Sequence, residues 1–273
     1  MFNQSGIRVQ ILSDLHLEVG QQYWSYTFPV SAPFLLLGGD IGHLIDYDGY
    51  LKFLEVQVSR YQKVFLVLGN HEFYGLDYES GLATAQRLSE DPKLADTLVL
   101  LNKGRWNDTK SNLTVIGCTL WSLIPEDASS IVQAKVSDFK KINGWTIEKH
   151  NEIHTEEASW LREEVVQIQS AGRRLLVATH HAPCMRGTSR PEHSNNSWTP
   201  AFATDLLDQE GWDGINIWVF GHTHYSTDLR RNGIRVVANQ RGYVLPGTMV
   251  GNGNGKKSKT DPHSFDAAMT VTV

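Results

Sequence analysis

The segment VFLVLGNHE, residues 64–72, joins five apolar residues to a glycine and three polar side chains. A short apolar run that ends at a glycine is typical of a buried β-strand. In open α/β sheets, ligands bind just beyond the carboxyl ends of the strands. The segment therefore predicts a strand over Val64–Leu68 that delivers Asn70 and His71 to a binding site.

The same arrangement recurs along the chain and predicts a mixed α/β fold. The apolar runs that indicate strands are Ile7–Leu12, Phe34–Leu37, Val64–Leu68, Leu113–Ile116, Leu175–Ala178 and Ile217–Phe220. Helical segments are expected between them at Tyr50–Arg60, Tyr78–Ser89 and Thr155–Ala171. Strands alternating with helices indicate βαβ units, and Asn232-Gly233 predicts a later β-hairpin.

Polar clusters follow five of these strands. They are Asp14 and His16, Asp40, Asn70 with His71 and Glu72, His180 and His181, and His222 and His224. Carboxylate, imidazole and amide oxygen together suit Mn, Fe or Zn better than Ca alone. We expect Asp-x-His and His-x-His to lie in extended backbone, which places both side chains on one side. The glycines before three of the clusters are expected to allow tight turns and close backbone approach.

Each cluster alone also has a structural explanation. Asp14 could cap a helix and Asp40 could be a turn residue, while the His180-His181 pair could be hydrogen-bonded near the core. The pair His222 and His224 is harder to explain without a metal. Five such clusters at the same ends of strands favour one shared site.

In content and order, these residues resemble the signature of the calcineurin-like metallophosphoesterase superfamily. The matching residues are Asp14-x-His16, Gly39-Asp40, Gly69-Asn70-His71-Glu72, His180 and Gly221-His222-x-His224. The resemblance implies a four-layer α/β/β/α sandwich with mixed sheets and a dinuclear metal site at the carboxyl edge of the strands. It implies one metal held by Asp14, His16, Asp40 and His224. The other would be held by Asp40, Asn70, His180 and His222.

Asp40 would thus bridge the two metals, and His71 would lie beside the scissile phosphate without binding a metal. Either His180 or His181 could reach the metal, and His180 is favoured because it comes first after its strand. Two metals about 3.5–4 Å apart activate a shared water and clamp phosphoryl oxygens. The expected reaction is hydrolysis of a phosphate ester by a metal-bridging hydroxide. His71 would protonate the leaving oxygen or stabilise charge, oriented by Glu72 or a backbone carbonyl.

Several other residues are candidates for contact with the substrate. Three of them, Arg186, Arg190 and Trp198, lie in the loop Met185–Pro200. The others are His43, Tyr74, Arg241 and Tyr243. The alternative for each is an exposed arginine or a packed aromatic ring. A small phosphodiester of nucleotide size is the favoured substrate, and a phosphomonoester is the alternative.

Bulk properties restrict the possible partners and the location. The chain has 273 residues and a net charge of −5, which fits a single domain over 1–273 and disfavours long nucleic acid as a partner. No apolar run reaches membrane-spanning length. Cys118 and Cys184 form no CxxC motif and indicate reduced thiols in the cytoplasm. Gly251–Pro262 is expected to be a solvated loop.

Two other functional classes are possible. One is a scaffold module with a degraded metal site, and the other is a mononuclear metal hydrolase acting on amides or esters. A complete set of ligand positions argues against both.

Overall fold

The computed structural model describes residues 6–94, 96–194, 196–245 and 263–273. The strands are β1 (Arg8–Leu12), β2 (Phe34–Gly38), β3 (Lys63–Val67), β4 (Leu98–Leu100), β5 (Gly104–Asn107), β6 (Leu113–Cys118), β7 (Arg174–Thr179), β8 (Ile217–Phe220), β9 (Thr227–Arg231), β10 (Ile234–Ala238) and β11 (Thr270–Thr272). The α-helices are α1 (Tyr47–Val58), α2 (Tyr78–Ser89), α3 (Glu126–Lys135), α4 (Asp138–Lys141) and α5 (Ile147–Ser170).

The strands form two mixed sheets. The first has the order β11-β1-β2-β3-β4, in which β11 is antiparallel to its neighbour and the other four strands are parallel. The second has the order β5-β6-β7-β8-β10-β9, with a parallel centre and an antiparallel strand at each edge. The parallel strands of each sheet all end at the same edge, where ligands bind in such folds.

Alternating apolar side chains organise the sheets and helices into four layers. On β2, Leu36 packs in the cluster between the two sheets, and Leu35 packs in the cluster that contains residues of α1 and α2. On β7, Leu176 packs between the sheets, and Leu175 packs against α5. Each fully buried leucine contributes about 1.5–3 kcal/mol of transfer free energy. The result is the α/β/β/α sandwich that the family resemblance implied.

Most of the predicted elements are confirmed, with shifted ends. Helix α2 has the predicted bounds, whereas α1 begins three residues early. Helix α5 begins at Ile147, eight residues before the predicted start. The prediction began too late because the buried polar residues His150 and His154 interrupt the apolar pattern of the first turns. The predicted hairpin is β9–β10, whose turn residues Asn232 and Gly233 both have positive φ, as a tight hairpin turn requires.

The sequence did not predict β4, β5, β11, α3 or α4. The three strands have only three or four residues each, too few for a periodic pattern to emerge. The predicted loop Met185–Pro200 contains short 3₁₀ turns at Pro191–His193 and from Thr199. The predicted loop Gly251–Pro262 lies outside the described residues. Within the described ranges, no helix is long and apolar enough to cross a bilayer.

Candidate metal centre

The strand ends bring the predicted ligand residues into two overlapping groups. In the first group, one ligand atom each from Asp14, His16, Asp40 and His224 lies within 4.8 Å of the others, and the second group joins Asp40, His180 and His222 in the same way. The remaining predicted ligand, Asn70, places its Oδ1 3.1 Å from His180 Nε2. All seven predicted residues therefore meet at one place, and Asp40 belongs to both groups.

The carboxylate of Asp40 lies between the two groups. Its Oδ1 is 3.3 Å from His180 Nε2, and its Oδ2 is 3.8 Å from His16 Nε2. Burial raises the pKa of Asp40, but the imidazoles of His180 and His71 outweigh burial and hold the pKa well below its usual range. The ionised carboxylate thus presents one oxygen to each group.

Each of the two groups contains a buried ligand atom that has no hydrogen-bond partner among the described residues. His16 Nε2 and His224 Nε2 are 2.9 Å apart, and His224 Nε2 is 3.5 Å from Asp14 Oδ1. Among the described residues, Asp14 Oδ2 and His222 Nε2 are buried and have no partner. Because an unpaired buried polar atom is costly, these two atoms indicate that a cation completes the site. The mixture of nitrogen and oxygen donors fits a transition metal.

In the His180-His181 pair, the structure gives the two rings different surroundings. His180 Nδ1 donates to the carbonyl of Gly38 at 3.0 Å, which turns Nε2 toward Asp40 and Asn70. Burial lowers the pKa of His180, but the Asp40 carboxylate outweighs burial and raises the pKa to about 10. Positive charge is therefore favoured at this ring.

His181 has the opposite character. Its ring packs against His222 and Trp121, with centroids 4.1 Å and 5.3 Å away. Burial and the neighbouring His222 lower its pKa well below the ordinary value. His181 is thus a neutral ring that packs behind the site.

A side chain from α4 fixes the orientation of the Asn70 amide. Asn70 Nδ2 donates to Asp138 Oδ1 at 2.7 Å, and the Tyr74 hydroxyl donates to the same oxygen at 2.7 Å. With its nitrogen held in this way, the Asn70 amide turns its oxygen toward His180. Sequence reasoning missed Asp138, because no motif surrounds it and only the fold brings it to the site.

The backbone at the site differs from the predicted extended form. Positive φ angles of 47–73° occur at Asp14, His16, Asp40, His222 and His224. Non-glycine residues rarely adopt this conformation, and when they do they cluster at functional sites. The segments curl over the edge of the sheets, so the prediction of extended Asp-x-His and His-x-His segments is wrong, although their side chains still converge.

The predicted close approach at the glycines is confirmed. Gly39 has φ +88°, and a Cβ there would lie 2.4 Å from His180 Nδ1. A Cβ on Gly69 would lie 2.2 Å from Asp40 Oδ1. Only glycine fits at these two positions without displacing a side chain of the site.

The expected partner of His71 is replaced by a residue that sequence reasoning missed. His71 Nδ1 is 3.0 Å from Glu18 Oε1. Glu72 instead accepts hydrogen bonds from the backbone of Gly69, Asp40 and Ile41, because the 3₁₀ turn after β3 carries it away from the His71 ring. The role predicted for Glu72 is therefore wrong. The spacing Asp14-x-His16-x-Glu18 was the signal available in the sequence.

The sequence model of the family described as Calcineurin-like phosphoesterase matches residues 7–226, about four fifths of the chain. The chain belongs to the calcineurin-like phosphoesterase family. It is therefore a metal-dependent phosphoester hydrolase, and the family implies a dinuclear metal site.

Several known proteins are similar to this phosphoesterase. "Uncharacterized protein L509" of Acanthamoeba polyphaga mimivirus is 30% identical over 264 residues, covering 86% of this chain and 91% of that protein. Phosphopantetheinyl hydrolase (PptH) from Mycobacterium tuberculosis has a TM-score of 0.62 at 18% identity, covering 88% of this chain and 91% of that one. A dimetal phosphatase from Danio rerio has a TM-score of 0.51 at 12% identity, covering 87% and 88%. The two structural likenesses show the shared fold.

A cavity of about 520 Å³ opens over the metal centre of this phosphoesterase. Its base includes Asp40, Asn70, His71, His222 and His224, and its outer wall includes Lys135, Arg190, His193, Trp198, Phe202 and Tyr243. The ring of Phe202 stacks on His222 with centroids 4.6 Å apart. The cavity thus joins the candidate metal ligands and His71 to an aromatic and cationic wall.

The structure separates the predicted substrate contacts into two sets. Tyr74, Arg190, Trp198 and Tyr243 line the cavity. Arg186 is exposed and outside the lining, and Arg241 donates to the Leu15 carbonyl and the Gln22 side chain. Neither of these two arginines lines the cavity. His43 is also outside the lining, with its Nε2 3.7 Å from Glu18 Oε1.

Proposed function

We propose that this phosphoesterase hydrolyses a small phosphodiester at two transition-metal ions, with Mn, Fe or Zn as the candidate metals. The proposal depends above all on the position of Asp40, whose two oxygens face different groups of imidazoles. One ion would be held by Asp14, His16, Asp40 and His224. The other would be held by Asp40, Asn70, His180 and His222.

When bound, two such metal ions would lower the pKa of a water molecule and neutralise the negative charge of the phosphoryl oxygens. The chain's own residues position the ligand atoms. The Gly38 carbonyl fixes the His180 ring, and Asp138 fixes the Asn70 amide. The first contact turns His180 Nε2 toward Asp40, and the second turns the Asn70 oxygen toward His180, so both proposed ligand atoms are positioned in advance.

His71 is proposed to protonate the leaving oxygen. Burial lowers the pKa of His71, but the carboxylates of Asp40 and Glu18 outweigh burial and raise the pKa above its ordinary value, which favours the protonated ring. Its Nε2 points into the cavity, where the Tyr243 hydroxyl lies 3.0 Å away. A leaving oxygen at that position would receive the Nε2 proton, and His71 would become neutral.

The outer wall supports a nucleotide-sized substrate. Trp198 packs on the apolar cluster that contains residues of α3, so its indole is held as a platform for a planar ring. Lys135 and Arg190 line the same cavity and suit phosphate oxygens. A net charge of −5 gives long polyanions no attraction. These features support a small phosphate ester, and not a long nucleic acid, as the substrate.

A phosphomonoester is the second candidate. The same cations, together with two metal ions, suit the dianion of a monoester. The distinguishing experiment compares kcat/KM for bis(p-nitrophenyl) phosphate and p-nitrophenyl phosphate at one pH with added Mn²⁺. A preference for the diester is expected. A clear preference for the monoester would reverse the substrate assignment, and hydrolysis of neither would contradict the proposed activity.

We also propose that residues 1–273 form a single domain of a cytoplasmic protein. The pairing of β11 with β1 supports the first part, because it joins residues near both ends of the chain in one sheet. The buried, unpaired thiols of Cys118 and Cys184 support the second, since disulfides are rare in the cytosol.

A further inference from the structure

The carboxylate of Glu18 lies where three loops meet. Its Oε1 is 3.1 Å from His16 Nδ1, 3.0 Å from His71 Nδ1 and 3.7 Å from His43 Nε2. These histidines follow three different strands, β1, β2 and β3. The Glu18 side chain is only 8% exposed, so little water competes for these contacts.

We propose that Glu18 is a positioning residue that keeps the protons of His16 and His71 on Nδ1 at the same time. The inference rests on the proposed function, because it concerns how the ligand His16 and the proton donor His71 are prepared. An ionised carboxylate only accepts hydrogen bonds. Both Nδ1 atoms must therefore be donors, and one oxygen fixes both rings.

For His16, this arrangement determines whether the ring can bind a cation. A neutral imidazole has one protonated nitrogen and one lone pair. With the proton on Nδ1, the lone pair is on Nε2, which lies 3.8 Å from Asp40 Oδ2. With the opposite tautomer, Nε2 would carry a proton and could not bind a metal. Glu18 thus selects the tautomer that the metal centre requires.

For His71, the same contact fixes which proton is transferred. To act as the proton donor, the His71 ring carries a proton on each nitrogen. The Nδ1 proton is held by Glu18, and the Nε2 proton faces the cavity. When the ester bond to phosphorus breaks, the Nε2 proton passes to the leaving oxygen, and the ring becomes neutral with Nδ1 still protonated. Uptake of one proton at Nε2 restores the starting state.

The main alternative is that Glu18 binds a cation itself. His16, Glu18 and His71 can place ligand atoms within 4.8 Å of one another, and Glu18 Oε2 is buried without a partner among the described residues. A cation there would have to replace the Nδ1 protons of both histidines. The two explanations therefore predict opposite protonation at Nδ1.

Two substitutions separate the hydrogen bonds from packing. Glu18→Met keeps the length of the side chain and removes the acceptor, whereas Glu18→Gln keeps an acceptor oxygen. Glu163→Gln is the matched control, since Glu163 is exposed on α5. The first measurement is ¹⁵N NMR of the full chain labelled at histidine and recorded before Zn²⁺ is added, because a metal on Nε2 would by itself keep the proton on Nδ1. Nδ1–H signals from His16 and His71 are expected in the wild type, lost in Glu18→Met and largely kept in Glu18→Gln.

The second measurement uses aryl phosphodiesters whose leaving phenols range from p-nitrophenol to phenol. In Glu18→Met, kcat should fall by about 10²-fold for phenol, in the range for loss of a residue that orients a ligand or catalytic group. For p-nitrophenol the fall should be several-fold smaller, because a good leaving group needs less protonation. Glu18→Gln should recover part of the loss, and Glu163→Gln should match the wild type.

An unchanged ¹⁵N pattern in Glu18→Met, or the same loss of kcat for every leaving phenol, would overturn the proposal. Loss of one whole Zn²⁺ ion from Glu18→Met would instead identify Glu18 as a ligand and also overturn it. A wild-type protein that hydrolyses no phosphate ester would contradict the proposed function. The NMR comparison would still decide the role of Glu18, because it does not depend on activity.

Discussion

Replacing Gly69 with alanine should damage the metal centre without removing any of the proposed ligands. A Cβ at this position would lie 2.2 Å from Asp40 Oδ1, 2.6 Å from Asp40 N and 2.7 Å from His180 Cε1. Ordinary contact begins at 3.4 Å, so the Asp40 carboxylate must move by about 1 Å. A misplacement of this size costs about 10²-fold in rate, and overpacking costs about 1–3 kcal/mol of stability.

The assay measures kcat/KM for bis(p-nitrophenyl) phosphate, Mn²⁺ content and Tm in Gly69→Ala. A fall of about 10² in kcat/KM with reduced Mn²⁺ content is expected. Gly144→Ala is the control, because Gly144 has φ +70° and nothing within 4 Å. Its backbone strain of about 1–2 kcal/mol should lower Tm and leave activity unchanged. Full Mn²⁺ content and full activity in Gly69→Ala would refute the tight placement of Asp40.

Three further substitutions test separate parts of the site and the core. Asp40→Ala should lower both Mn²⁺ content and activity, because one carboxylate serves both ions, and full metal occupancy in this variant would count against bridging. His71→Asn should lower kcat by about 10²–10⁴ with metal content and Tm unchanged, whereas loss of an ion would make His71 a ligand. Burial raises the pKa of Glu157 from 4.5 to about 8, so its contribution to the free energy of unfolding is greatest below pH 4.5 and is lost as the pH rises to 8. Glu157→Gln removes this dependence, which amounts to at most about 5 kcal/mol at 1.4 kcal/mol per pH unit. The free energy of unfolding is measured by denaturant titration of the wild type and the variant at pH 5 and pH 8. An equal change between the two pH values in both proteins would disprove the role of Glu157.

The central features of the fold and site could be predicted because their signals are local. Five strands of the two parallel centres are short apolar runs, and a polar cluster follows each of these five directly in sequence. Parallel strands must end at a common edge of the sheet. The positions of residues that directly follow a strand, such as Asn70 and His71, could therefore be predicted without knowledge of long-range contacts. This locality explains why all seven predicted ligand residues lie together in the structure.

The residues that sequence reasoning missed reach the site through tertiary structure. Asp138 belongs to a four-residue helix and meets Asn70 only after folding. Glu18 lies two residues beyond His16, and its partner His71 is on another strand end. Arg241 shows the converse, since its place near a hairpin suggested substrate contact, while its side chain is held by Leu15 and Gln22. Side-chain direction at loops depends on packing that periodicity does not encode.

The most direct test of the two-metal centre is the stoichiometry of metal in the wild-type chain. The purified protein would be stripped of metal, reconstituted with excess Mn²⁺ and freed of unbound ions. Its Mn²⁺ content per chain would then be measured by elemental mass spectrometry. We expect close to two Mn²⁺ ions per chain, since Asp40 presents one oxygen to each of two groups of ligands. A value near one would indicate a mononuclear site, and a value near zero would contradict the metal centre altogether.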